Sequence, residues 1–91
     1  MKLEINKIKE YENYLICEEK SSATIEKYIR DIRTFAVWLQ DRKLTKTEAL
    51  AYKASLTEKY APATVNSVLA SLNGFFVYME WFQLKIKNLK I

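Results

Sequence analysis

The chain has 91 residues, a formal net charge of +4, one cysteine, one glycine, one proline and no histidine. This length predicts one domain, and the scarcity of glycine and proline favours an all-α fold over one rich in hairpins. The missing histidines exclude serine–histidine and cysteine–histidine catalytic groups and histidine metal sites, and a single glycine excludes a glycine-rich phosphate loop, so we expect no cofactor.

The first predicted helix runs from about Leu3 to Glu19. Its apolar positions share one face at helical spacing; they are Ile5, Ile8, Tyr11, Leu15 and Ile16. The single Cys17 cannot form an internal disulfide and fits a reducing compartment. The residues from Met1 to Glu4 do not resemble a signal peptide, and no apolar run is long enough for a membrane span. We therefore expect a cytoplasmic protein.

The second predicted helix runs from about Ala23 to Asp41, with Ser22 as its N-cap. Its apolar stripe consists of Ile25, Tyr28, Ile29, Ile32, Phe35, Ala36 and Leu39. The opposite face carries Ala23, Lys27, Arg30 and Thr34, which we expect to point outward.

The third predicted helix begins with a capping box, Thr45 to Glu48, and continues to about Lys59. We expect its contribution to the core to come from Ala49, Leu50, Tyr52, Ala54 and Leu56. Pro62 then ends this helix and can occupy the first turn of the next one, which begins either there or at Thr64.

The fourth predicted helix extends to Phe82, and the rest of the chain is organised around it. Its large apolar side chains lie in one sector: Val65, Val68, Leu69, Leu72, Phe75, Phe76, Met79 and Phe82. The opposite face is lined by small residues: Ala63, Ser67, Ala70 and Gly74. A helix-interior glycine costs about 1 kcal/mol relative to alanine, so Gly74 indicates close approach to a second helix or to a DNA groove.

Residues 83–91 alternate between apolar and basic side chains, which predicts an extended segment whose partner is missing. Val77, Tyr78 and Trp81 fall outside the core stripe of the fourth helix. Exposed apolar groups beside an unpaired basic tail indicate a neighbouring domain or subunit.

Two segments of the sequence resemble each other at an offset of forty residues, and this internal similarity is called the echo below. Ala23-Thr24-Ile25 aligns with Ala63-Thr64-Val65, and the run from Phe35 to Leu39 aligns with the run from Phe75 to Met79. The echo predicts two crossed helical hairpins, formed by the first and second helices and by the third and fourth. It also predicts two similar outward faces that one ligand could contact together.

Two stretches of the chain resemble the core-binding domain of tyrosine recombinases, the phage and transposon integrases. In the first stretch the resemblance is carried by Tyr14-Leu15, Ser22, Thr24, Tyr28, Arg30-Asp31, Phe35 and Trp38-Leu39. In the second it is carried by Thr64, Asn66, Leu69, Leu72, Phe75-Phe76 and Trp81. Together they cover about residues 8–89.

The resemblance implies a compact SAM-like domain of four to five helices that clamps the core recombination site, with its second and fourth helices across the major groove. It further implies that residues 1–83 form this core-binding domain. Residues 84–91 would be the linker to a catalytic domain, outside these 91 residues, that uses a tyrosine nucleophile. The implied partners are double-stranded DNA and other recombinase subunits on the same DNA, with the isolated domain monomeric.

The residue types on the predicted outward faces fit DNA, because lysine and arginine neutralise phosphates while serine, threonine and asparagine bond phosphates or base edges. The predicted DNA-binding residues are Ser22, Thr24, Lys27, Arg30, Thr34, Thr64, Asn66, Ser67, Ser71, Lys85 and Lys87. The alternative is a non-catalytic protein-interaction module, in which the small-residue strip and Val77, Tyr78 and Trp81 bind another helix.

Overall fold

A computed structural model describes residues 1–90 of the chain. Its four α-helices are α1 (Ile5–Cys17), α2 (Ser22–Leu39), α3 (Lys46–Lys59) and α4 (Pro62–Tyr78), followed by a short 3₁₀ turn, Phe82–Leu84. No strand occurs within residues 1–90. The predicted all-α, four-helix architecture is confirmed. The predicted tail, residues 84–91, is described except for Ile91, which lies outside the described residues.

Side-chain caps fix the beginnings of two helices. The Thr45 hydroxyl accepts a hydrogen bond from the Glu48 amide at 3.2 Å, as the capping box predicts. The Glu48 carboxylate does not complete the box but binds the Arg42 guanidinium at 2.9 Å. At α2 the cap is Ser21, whose hydroxyl accepts from the Thr24 amide at 3.2 Å. The prediction of Ser22 as the N-cap is therefore wrong by one residue.

The core surrounds α4, which packs most extensively against α2. Its largest fully buried side chains are Phe35, Phe75, Phe76, Ile8, Ile32, Leu39, Leu44, Leu69, Leu72 and Val65. Several predicted core positions are instead exposed: Ile5, Ile16, Leu50, Ala54 and Phe82. The error at Phe82 has a local cause, because α4 ends at Tyr78 and the positions after it no longer follow the helical stripe.

A left-handed residue ends α4. Glu80 has φ 60°, and the Trp81 amide donates to the Phe76 carbonyl at 2.8 Å, which is the six-residue closure of a Schellman motif. The turn directs Trp81 back onto the helix, where its ring meets Phe75 edge-on at 6.0 Å between centroids. The segment after the turn therefore reverses direction and runs back along α4.

The glycine in the middle of α4 lies beneath a tyrosine of α1. A Cβ at Gly74 would stand 2.9 Å from the Tyr11 hydroxyl oxygen, closer than real Cβ contacts allow. Of the two close approaches that the sequence predicts for Gly74, the structure shows the one with a second helix.

We expect Gln40→Gly to stabilise the domain by about 1–2 kcal/mol, because Gln40 has φ 56° and ψ −132°, a conformation that favours glycine. Gln40 is the second residue of the four-residue turn that follows α2, in which the Arg42 amide donates to the Leu39 carbonyl at 3.2 Å. Its side chain is exposed, so the substitution removes little packing. Urea unfolding measures the change. Asp41→Gly, one residue on without a positive φ, is the matched control and should not stabilise; a gain there equal to that of Gln40→Gly would contradict the prediction.

We expect stability to fall as the pH rises from 10 to 12, since burial, with smaller contributions from neighbouring groups, raises the pKa of Tyr11 and Tyr52 from 10.0 to about 12. Both tyrosines keep their protons in the folded state over this range while the unfolded chain loses them. The unfolded state then binds fewer protons, and the free energy of unfolding decreases with pH.

Urea unfolding at pH 9 and pH 11 tests this, with Tyr11→Phe and Tyr52→Phe each expected to flatten the pH dependence. Lysines titrate in the same range but are unchanged in the variants. Tyr60→Phe is the control at an exposed position; because Tyr60 is the last of the three causes of the raised Tyr52 pKa, the substitution should flatten the pH dependence much less. If it flattened the dependence as much as the buried substitutions, burial would not be the cause.

Candidate nucleic-acid interface

The predicted DNA-binding residues lie in four places on the structure. The first is the start of α2, where Ser22 is the exposed first residue and Thr24 is half-buried. The Ser21 hydroxyl donates to the Thr24 hydroxyl at 2.9 Å, so the cap holds the Thr24 side chain in place. The Ser22 hydroxyl stays at the surface at the amino end of the helix.

The second place is a polar cluster where α2 crosses α4. The Lys27 ammonium lies 2.6 Å from an Asp31 carboxylate oxygen, 3.1 Å from the Ser67 carbonyl and 3.2 Å from the Ser71 hydroxyl. The Ser71 hydroxyl in turn donates to the same Asp31 oxygen at 2.8 Å. The cluster satisfies the charge of Lys27 within the protein.

This cluster corrects the predicted orientation of two residues. Ser71 is 0% exposed and therefore cannot reach DNA in this conformation. Lys27 points toward α4, although about a third of its side chain remains accessible, at 34%. Residues at equivalent positions of the forty-residue echo meet here, Lys27 with Ser67 and Asp31 with Ser71. The two echoed faces thus pack partly on each other and do not both face outward.

The third place is a groove between α2, α3 and α4 that brings three predicted residues together. Arg30 and Thr34 of α2 and Thr64 of α4 line an open groove of about 300 Å³, with Tyr52 and Tyr60 from the α3 side. Arg30, Thr34 and Thr64 are all exposed. The Thr34 hydroxyl donates to the Arg30 carbonyl at 2.9 Å, which leaves its oxygen free to accept another hydrogen bond. Asp31 also lines the groove, but its carboxylate is engaged by Lys27 and Ser71. A cationic donor and two hydroxyls therefore remain, and these groups match the chemistry of a phosphate backbone.

A larger groove of about 880 Å³ lies between α1, the start of α2 and the end of α4. Thr24 and Lys85 line it together with Lys20, which is not among the predicted DNA-binding residues. Four tyrosines also line it, and the ring centroids of two of them, Tyr14 and Tyr78, lie 4.8 Å apart. The groove therefore combines two lysines and the carboxylate of Glu80 with aromatic side chains.

The fourth place is the tail, which has a partner, contrary to the prediction of an unpaired segment. Leu84 and Ile86 are buried in the core, while Lys85 and Lys87 are exposed. Asn66 does not point to solvent: its side-chain nitrogen donates to the Leu89 carbonyl at 3.0 Å and its oxygen accepts from the Leu89 amide at 2.7 Å. Asn73 makes the same pair of bonds to Ile86, each at 2.8 Å.

Sequence reasoning missed the residues that hold the tail. Besides Asn73, they are Lys46 and Lys53 of α3, whose ammonium groups donate to the carbonyls of Lys85 and Lys87. Lys46 and Lys53 are seven residues apart, as are Asn66 and Asn73, so both members of each pair lie on one face of their helix. This spacing, together with the alternation of apolar and basic residues in the tail, was the sequence signal that these residues hold the tail.

Other kinds of site receive no support from the described residues. Within residues 1–90 no group of three or more histidine, cysteine or acidic side chains is placed to hold a metal ion. Cys17 is a free, exposed thiol. In the same part of the chain, none of the helices has the length and apolar character that crossing a membrane requires.

Comparison with known proteins gives two matches. Residues 8–83 match the family model described as phage integrase, N-terminal SAM-like domain. The tyrosine recombinase XerC of Treponema denticola is 31% identical over 98 aligned positions, which cover 89% of this chain and 32% of the relative. The chain thus spans about a third of the length of this curated relative. No solved structure matches the chain significantly.

Proposed function

Because the chain belongs to the phage integrase N-terminal SAM-like domain family, we propose that it is the non-catalytic, DNA-binding part of a site-specific tyrosine recombinase. In this role residues 1–83 bind double-stranded DNA at the core recombination site. The tail leads toward a catalytic domain that cuts and rejoins the strands, and other recombinase subunits bind the same DNA. The protein would act where bacterial DNA is held, in the cytoplasm.

One observation carries the proposal: the groove that joins Arg30 and Thr34 of α2 to Thr64 of α4. These three side chains come from the two echoed helices, are exposed and offer one cation and two hydroxyls. Lys85 and Lys87 add positive charge along the tail. We therefore assign DNA contact to Arg30, Thr34, Thr64, Ser22, Thr24, Lys85 and Lys87, with Lys20 beside them.

We expect this domain to bind a random-sequence duplex with an affinity that falls steeply with salt. If about 4–6 phosphates are contacted, the logarithm of the binding constant falls by about 0.9 per phosphate per decade of salt. Arg30→Glu should weaken binding roughly tenfold at 100 mM salt, because it removes one phosphate contact and adds repulsion.

The matched control is Arg33→Glu, which makes the same charge change one turn further along α2. Arg33 is exposed and does not line the groove between α2, α3 and α4. It lines two grooves on the α1 side of the helix, one of which it shares with Arg30 and Thr34. Fluorescence anisotropy at several salt concentrations gives both affinities, and circular dichroism checks the fold. Equal losses for the two variants would show that only net charge matters and would remove the groove from the interface.

The second candidate function, a protein-interaction module, rests on apolar side chains around the larger groove. Tyr14, Val77 and Phe82 are exposed and line it together. A mass that rises with protein concentration, with no salt-dependent DNA binding, would favour this function over the first.

A further inference from the structure

Two asparagines of α4 hold the tail in the way that a neighbouring β-strand would. The Asn73 side chain both donates to and accepts from the backbone of Ile86, and the Asn66 side chain does the same for Leu89. Each asparagine thus satisfies one peptide N–H and one carbonyl, which are groups that require partners when buried. The lysines of α3 bind the carbonyls of Lys85 and Lys87 from the other side.

The spacing of the asparagines fixes the conformation of the tail. Seven residues of α-helix rise about 10.5 Å between Asn66 and Asn73. Three residues of chain, from Ile86 to Leu89, span about 10–11 Å only when they are almost fully extended. Lys85 has φ −58° and ψ 136°, and the two paired residues are three apart, so the segment resembles a polyproline II chain with three residues per turn more than a β-strand. Ile86 is buried, whereas Lys85 and Lys87 on either side of it are exposed.

The held tail places one of its charges, Lys85, beside the start of α2 and leaves Lys87 exposed two residues further along. Lys85 lines the larger groove together with Lys20 and Thr24. Among residues 1–90, no ion pair engages Lys85 or Lys87. A free tail would have to lose its conformational freedom on binding, whereas this tail is ordered beforehand.

We propose that Asn66 and Asn73 are positioning residues for DNA binding, which act through the tail and do not touch DNA themselves. They hold residues 85–89 extended along α4, and the ammonium groups of Lys85 and Lys87 then contact phosphates together with Lys20. This inference rests on the proposed function and changes the predicted role of Asn66 from a DNA contact to a support for one.

The test compares two double variants of the whole chain. Lys85→Ala with Lys87→Ala removes the charges, and Asn66→Ala with Asn73→Ala removes the supports while leaving every charge in place. Each is expected to weaken duplex binding about tenfold at 50 mM salt and to reduce the log–log salt slope by about 1.8, which corresponds to two phosphates. Combining all four substitutions should add little to either pair. Amide hydrogen exchange should accelerate at Ile86 and Leu89 in the asparagine variant.

Asn13→Ala, at an exposed asparagine of α1, is the control and should change neither quantity. If the double asparagine variant does not fold, Asn73→Ala alone, which keeps the Leu89 pairing, should give an intermediate slope. The inference is overturned if exchange accelerates while the salt slope stays that of the original chain, or if the lysine variant binds normally. Absence of salt-dependent binding by the original chain would instead overturn the proposed function, so the two failures are distinguishable.

Discussion

Phe76→Ala is expected to lower the free energy of unfolding by about 3–5 kcal/mol, whereas Phe82→Ala should cost less than about 1 kcal/mol. Phe76 is 0% exposed and its ring lies 6.4 Å from that of Phe35 and 6.5 Å from that of Phe75, centroid to centroid. Truncation of Phe76 to alanine leaves an enclosed cavity, which could close only if the surrounding helices moved. Phe82 is 57% exposed, so its truncation leaves no enclosed cavity.

The pair is informative because helical periodicity places both phenylalanines on one apolar face. Urea unfolding followed by circular dichroism measures both values. Domains of this size have a total stability of about 5–15 kcal/mol, so Phe76→Ala is best measured in a Gln40→Gly background if the original transition is shallow. Equal losses at the two positions would mean that α4 continues through Phe82, against the turn at Glu80.

Asp31→Ala is expected to cost about 2 kcal/mol, because the Asp31 carboxylate is the shared acceptor of the Lys27 ammonium and the Ser71 hydroxyl. Its loss leaves a completely buried hydroxyl and a partly buried cation without that partner. The expected cost is below that of a fully buried charge because the Lys27 side chain is 34% accessible and can turn toward water.

A double-mutant cycle isolates the interaction. Lys27→Ala and Asp31→Ala together should cost less than the sum of the two single substitutions, since the second removes a partner that has already gone. Asp41→Ala, at an exposed carboxylate just after α2, should leave stability within about 0.5 kcal/mol. Strictly additive costs at Lys27 and Asp31 would show that the cluster contributes nothing as a unit.

The helices were predictable because their signals are local. The Thr45 cap fixes the start of α3, although Glu48 does not complete the predicted box, and the apolar stripe of α2 fixes the buried face of that helix. The end of α4 was not predictable in the same way. No glycine or proline follows Tyr78. The helix ends where Glu80 adopts a left-handed backbone conformation, and Leu84 and Ile86 beyond it are buried against the helices.

Some predicted DNA-binding residues do not point outward as expected, for a related reason. Periodicity separates large apolar from small polar positions, but it does not reveal whether a small polar face meets water or another helix. Arg30 and Thr64 lie at the surface as expected, whereas Ser71 is covered by α2. The role of Asn66 depends on a backbone segment 23 residues away in sequence, since it binds Leu89. The seven-residue spacing between Asn66 and Asn73 indicates only that they share a helix face, not what that face contacts.

The cluster at the helix crossing also makes the contact between the two echoed helices one-sided. The acid and the cation both belong to α2, whereas α4 supplies only hydroxyl and carbonyl groups. Two copies of α4 packed through the same contact would bring serines together without an ion pair, so the contact favours the pairing of unlike helices. Helices that share an apolar pattern are thereby distinguished by the polar residues between them.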